Sequence, residues 1–290
     1  MKRPIIISVV CVAAAVLLLL WGFGQTAPEA GGEAERYALV IRDDTGTFLM
    51  QLRKGMQAAA DEAGVSLSVI GPGDLSASSK YSALMVLAGV DSPRLSEFPT
   101  LYIGQTMKDA WCVLHGDSGT GVRLMERALA LAPPGQTVLL VDGGNARAAA
   151  RSGAAEAFAG THGVQVMDYD TDGFTLPPNC AAAVAASPRA TQALAAMKRS
   201  GTFDGAVLGV DTGDSRVADL EDGAVTVMAL DNPYAMGYLA LRKAREGVAL
   251  TAEQLSAGYS PDPIVVDALL ADQQNMYLPE NVKQVFPLLQ

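Results

Sequence analysis

The stretch RDDTGTF, Arg42 to Phe48, brings two adjacent carboxylates to the exit of an apolar run and follows them with two hydroxyls around a glycine. Such a set can do phosphoryl transfer. Asp43 or Asp44 would be the nucleophile, Thr45 and Thr47 a hydroxyl cradle, Lys198 a phosphate partner, and Asp214 and Asp219 of GDSRVAD the magnesium ligands. The same residues are also ordinary turn chemistry, with Thr47 as N-cap of the helix that follows. Two features count against the enzyme. The strand VLLVDGG, between the two acidic motifs, ends in Asp-Gly-Gly and not in the Ser or Thr that would contact the phosphoryl group. Asp44 also stands where a lysine would serve a phosphorylated Asp43.

Other chemistry finds less support. There is no G-x-G-x-x-G after the first strand and no G-x-x-x-x-G-K-[ST]. GDSGTG, Gly116 to Gly121, opens a helix, so Ser118 or Thr120 reads as its cap and not as a nucleophile. His115 and His162 have no partner at metal-ligand or triad spacing. Cys11, Cys112 and Cys180 are too few and too scattered for a disulfide framework or a zinc site.

The chain has 290 residues, half of them hydrophobic, with a formal charge of -10. That length allows one large or two ordinary domains with a sizeable core. The acidity argues against nucleic acid and against anionic lipid as ligand, since both require basic surface. The N-terminus MKRPIIISVVCVAAAVLLLLWGFG carries two positive charges and then a nearly unbroken apolar run from Ile5 to Phe23, about the length that spans a bilayer. Lys2 and Arg3 favour the cytoplasmic side, which places the rest of the chain outside the cytoplasm. Residues 1–24 are read as a signal anchor, with a cleaved signal as the alternative, and residues 25–36 as a flexible linker.

From Tyr37 onward short apolar runs alternate with helical patterns, which implies parallel sheets covered by helices. Strands are expected at YALVIR, VSLSVIG, SALMVLAG, TLYIGQ, QTVLLVDGG, VQVMDYD, AAAVAAS, GAVLGVD and AVTVMALD. Helices are expected after Thr47 and over Thr120–Leu131, Ala146–Ala159, Pro188–Arg199 and Pro233–Glu246. So many strands call for two lobes. The junctions PGDLSASSKY and TDGFTLPPN are too short for an ordinary crossover helix, so each lobe is expected to lack its second one.

The region from Tyr37 onward resembles the periplasmic sugar-binding proteins of the type I fold, the ribose-binding branch of ABC-transporter substrate-binding proteins, in a shortened and divergent form. VIRDDTGTFLMQLRKGMQAAADEAGVSLSV looks like that family's opening strand, ligand loop and first helix. GVDSPR, FPTLYIGQT, FDGAVLGVDTGD and VMALDNPYAMGYLALRKAREG follow in the family's order. The resemblance implies an α/β fold with two Rossmann-like lobes joined by a three-strand hinge. The lobes would be residues 37–116 plus 232–262 and residues 117–231 plus 263–290, with crossings near Gly116–Asp117, Asp231–Asn232 and in YSPDPIVVD. It implies ligand contacts at Phe48, Asp91, Gln105, Arg151, Asp211 and Asp231, with Asp44 as a further polar contact. Gly104-Gln105 replaces the family's Asp-Arg, and Ala186 stands near its ligand-binding asparagine.

The implied function is non-catalytic, without cofactor or metal. It is an extracytoplasmic, membrane-tethered protein that closes on a sugar-like ligand and serves an ABC permease or a membrane sensor. Carboxylates that accept from hydroxyls, beside an aromatic face, suit a sugar, a polyol or a cationic amine and repel an acid. Two alternatives stay open: a degenerate domain that acts through a protein partner, and a phosphohydrolase that uses Asp43.

Overall fold

The computed structural model describes residues 35–42, 45–76, 80–108, 110–142, 144–160, 164–168, 175–211, 213–248 and 262–286. The apolar N-terminus, the linker, Asp43, Asp44 and His162 lie outside these residues. Among the described residues no helix is long and apolar enough to cross a membrane.

Strand β1, Arg36–Val40, is buried from Tyr37 to Val40, as a central parallel strand covered on both faces must be. Helix α1, Thr47–Ala63, follows with Leu49, Leu52, Met56, Ala59 and Ala60 on its inward face. It ends where Gly64 turns left-handed, at φ 67, and donates its N–H back to the last turn. Four more strands, β2 Ser66–Ile70, β3 Ala83–Leu87, β4 Thr100–Ile103 and β5 Trp111–His115, complete the first run. The chain then enters α2, Asp117–Leu131. Beyond it lie β6 Thr137–Asp142, α3 Ala146–Ala159, β7 Val164–Asp168, β8 Cys180–Ala185, α4 Pro188–Arg199, β9 Ala206–Val210, α5 Arg216–Glu221 and β10 Val227–Leu230. Helix α6, Pro233–Val248, returns to the first lobe and packs on α1. β11 Ile264–Val266, β12 Leu269–Ala271 and α7 Pro279–Val285 end the described chain.

Two six-stranded sheets result, ordered β11-β5-β4-β3-β1-β2 and β12-β10-β9-β8-β6-β7. All pairings are parallel except β10 with β12. The third crossing falls at Asp267–Ala268, beyond the expected boundary at 262/263. Ile264–Val266 pairs in parallel with Val113–His115 and so belongs to the first sheet. The last described segment settles on the second lobe, with Met276 and Val285 in its core.

Both short junctions lack an α-helix among the described residues. After β2 the described residues form a 3-10 turn at Pro72–Asp74. Leu75, Leu95, Tyr81 and Phe98 cover the sheet face that a crossover helix would otherwise cover. Short connectors can bury that face because β3 and β4 present Leu84, Val86 and Tyr102 to it, a narrow apolar strip.

Candidate functional site

In open parallel sheets, connections that diverge at the strand exits leave a crevice there. In the second lobe four exits build such a crevice. After β6, the Asn145 side chain accepts from the Ala148 N–H at 2.9 Å and starts α3. That cap puts Arg147 in the first turn and Arg151 one turn later on the same face. After β8, Ser187 caps α4 in the same way. After β9 comes Asp211, and after β10 comes Asp231. The turn role open to Asp231 is taken by Asn232, whose side chain accepts from the Ala235 N–H at 3.0 Å. The Asp231 carboxylate is thereby left to face the crevice. Thr120, Asn145, Arg147, Arg151, Asp211 and Asp231 line a cavity of about 180 Å3, with Pro188, Val210, Ala229 and Ala268 as its apolar wall.

The charges around this cavity are paired in two sets, one around Arg147 and one at Asp211. Arg147 donates from Nε to Asp117 Oδ2 at 2.9 Å and from Nη2 to Asp117 Oδ1 at 3.0 Å. The same Nη2 reaches both Asp231 oxygens at 3.0 Å. Arg151, 5% exposed, holds Asp117 Oδ1 at 2.6 Å and donates to the Ala186 carbonyl at 2.9 Å. Its Nε has no hydrogen-bond partner among the described residues. Asp211 accepts from the Gly213 N–H at 2.8 Å and faces Arg216 at 3.0 Å. Burial alone would push the Asp231 carboxyl up. His115 and the Arg147 guanidinium outweigh it and hold that carboxyl well below the usual carboxylate range. Burial opposes the charge on Arg147, but hydrogen bonds to Asp117 and Asp231 more than offset it and raise its affinity for the proton. Arg151 is pushed down, by burial first and by Arg147 second.

Among the described residues the first lobe meets this network at His115. His115, the last residue of β5, brings Nδ1 to 3.5 Å from Asp231 Oδ1. The Phe48 ring, in the first turn of α1, lies 5.8 Å from the His115 ring. The remaining first-lobe candidates stand apart. Gln105 accepts from the Gly89 N–H at 3.5 Å and so links the exits of β3 and β4. Asp91 is exposed beyond β3, close enough to Tyr102 to act, after burial and Cys112, in raising its phenol.

Of the residues singled out in the sequence, Arg151, Asp211 and Asp231 come together at the cavity, and Phe48 reaches it through His115. Arg147, Asp117 and His115 were missed as site residues. Asp44 lies outside the described residues. Two capping expectations are corrected. Gly46, and not Thr47, is the N-cap of α1, and Gly116 is that of α2, so Ser118 and Thr120 lie inside the helix. In both places the backbone begins the helix without a side-chain cap, which frees Thr120 to line the cavity.

The partners required for phosphoryl transfer are dispersed. Lys198 donates to the carbonyls of Asp204 and Gly205, just before β9, at the strand-entry edge of the second sheet. Asp219 is 1% exposed and engaged by Arg199 and Ser215. Cys112 and Cys180 are free thiols in different sheets.

No protein-family model and no curated protein matches the chain. Solved structures do. The glucose-galactose binding protein GanP from Geobacillus stearothermophilus superposes with a TM-score of 0.61 at 18% identity, over 85% of this chain and all of that one (100%). An ABC-transporter solute-binding protein from Agrobacterium vitis, bound with alpha-D-tagatopyranose, gives 0.65 at 16% identity, over 86% and 98% of the two chains. The complex of XylFII with LytSN gives 0.63 at 14% identity, over 83% and 99%.

Proposed function

We infer that this chain, which has the two-lobed fold of type I periplasmic binding proteins, is an extracytoplasmic solute-binding protein for a small neutral polyhydroxy ligand. The observation that carries the reading is the cavity at the second lobe's strand exits beside the hinge. It offers carboxylate acceptors and guanidinium donors whose charges cancel. Hydroxyls can accept from Arg147 and donate to Asp211 or Asp231 without a charge of their own. Sugar-binding neighbours of the same fold support the same class of ligand.

The mechanism is a clamp. Asp91, Gln105 and Phe48 from the first lobe close on a ligand seated against Asp211, Asp231 and Arg151 of the second. Hinge bending at the three crossings then favours the closed form. The Ile5–Phe23 run tethers the chain to the membrane, and the closed form is what an ABC permease or a membrane sensor reads. The complex of XylFII with LytSN supports a protein partner for this fold.

A second reading, a domain that acts through a protein partner with no small ligand, is favoured by the engagement of Asp117, Asp211 and Asp231 by the chain's own arginines. Thermal denaturation against D-glucose, D-galactose, D-tagatose and D-arabinose separates the two. A saturable rise in Tm with one of them supports the clamp. A flat response to all of them, together with calorimetric titrations that release no heat, sinks it.

A further inference from the structure

We propose that Arg147 sets the charge of the ligand this cavity accepts, by covering Asp231 and so excluding cationic ligands. The inference rests on the reading of the cavity as a ligand site. Three carboxylates, Asp117, Asp211 and Asp231, meet three guanidiniums, Arg147, Arg151 and Arg216. They do not depend on these partners equally. Asp117 has two, because Arg151 holds it at 2.6 Å even without Arg147. Asp211 has Arg216 and the Gly213 N–H. Asp231 has Arg147 and, at 3.5 Å, an imidazole that is charged only when protonated. Removing Arg147 therefore leaves one cavity-lining carboxylate without a permanently charged hydrogen-bond partner, with Arg151, held on Asp117, acting on it only through space.

Geometry makes this a matter of ligand choice as well as of structure. The Arg147 side chain is 38% exposed and that of Asp231 27%, so both remain open to an incoming molecule. An ammonium group approaching Asp231 must come within a few ångströms of the guanidinium that already spans both carboxylate oxygens. Inside a partly desolvated crevice that repulsion is weakly screened. A hydroxyl has no such penalty and can still accept from the guanidinium. The mixed carboxylate content that the sequence suggests for amines is thus cancelled by one residue whose place in the site only the structure reveals.

The test compares the full-length wild type with Arg147→Met and Arg147→Lys at pH 8. Binding of putrescine and of D-glucose, D-galactose, D-tagatose and D-arabinose is read by calorimetric titration, and folding by circular dichroism. Arg147→Met is expected to bind putrescine at least about tenfold more tightly than the wild type, the size of one charge-assisted hydrogen bond gained. Arg147→Lys, which restores a positive charge, is expected to return to the wild-type response. Should Arg147→Met fail to fold, Arg147→Gln takes its place and the same comparison decides. A folded variant with no gain in putrescine affinity over the wild type overturns the proposal, as does a wild type that binds putrescine equally well. A wild type that binds none of the four sugars, beside a variant that gains putrescine, defeats the sugar reading and leaves the role of Arg147 standing.

Discussion

In the first lobe the helices α1 and α6 cross backbone to backbone. A Cβ on Gly55 would lie 2.0 Å from the Tyr234 carbonyl oxygen, and one on Gly237 2.0 Å from that of Leu52. In the second lobe α2 and α3 cross as closely, with a Cβ on Gly121 falling 2.0 Å from a carbonyl oxygen, but that carbonyl belongs to Arg151. The contact that sets helix spacing in the second lobe therefore also sets the root of the side chain that grips Asp117. No such link joins the Gly55–Gly237 crossing to Asp91 or Gln105. One lobe is packed for itself; the other converts its packing into the position of a charge network.

The sharpest way to break that contrast is Asp117→Ala. It strips Arg151 of its carboxylate while the guanidinium stays buried, and it removes half of the anchoring of Arg147. Leaving a buried charge unpaired costs about 3 kcal/mol or more, read as a lower denaturation midpoint in urea. A cost under about 1 kcal/mol would mean that the network does not brace the second lobe.

Next in size is a matched pair, Gly55→Ala and Gly121→Ala. Each forces two helices apart and should cost about 2 kcal/mol. Gly121→Ala should also weaken sugar binding, and by more than Gly55→Ala, because it displaces Arg151 at its root while Gly55 lies two turns from Phe48 on α1. Equal losses of affinity in both variants would erase the distinction between the lobes.

Acid is the third lever. The Asp231 carboxyl is held below its ordinary value, so its pairing stabilises the fold in full above the unfolded-state value of about 4. That contribution is lost as pH falls below 4 towards the lower folded-state value. Asp231→Asn should be less stable than the wild type at neutral pH, by on the order of 2 kcal/mol, and should show a flatter acid limb. A wild-type curve with the same acid limb as the variant would place the pairing outside the energetics of the fold.

Much of this architecture could be read from the chain. The helices Ala146–Ala159 and Pro188–Arg199 are found at their expected ends because Asn145 and Ser187 cap them with side chains. Helix α2 begins three residues before its expected start because Gly116 opens it with no side-chain cap to mark the place. The site was harder to read. Arg147 and Arg151, four apart on one helix face, are both visible as a pair, yet the resemblance drew attention to Arg151 alone. Arg147 takes its meaning from partners 30 and 84 residues away in sequence. Contacts of that range come from the order of strands in a sheet, which periodicity does not report. Asp231 was found, but its freedom from the turn depended on Asn232 doing the capping.

The smallest expected effect on stability is also the cleanest probe of whether the first lobe binds anything. Asp211→Ala is a poor choice, because it removes the acceptor for the Gly213 N–H and the partner of Arg216 together, so any loss of ligand is mixed with a loss of structure. Asp91 is exposed, on a loop beyond β3. Asp91→Ala should change stability by less than about 0.5 kcal/mol, the usual range for such a surface site. If the first lobe closes on the ligand, the same substitution should weaken sugar binding about tenfold, the worth of one hydrogen bond to a charged acceptor. Titration of a sugar that raises the Tm of the wild type measures this directly. An unchanged affinity in a variant of unchanged stability would confine ligand recognition to the second lobe, and the comparison between the lobes would become one between a binding half and a hinge-bearing cover.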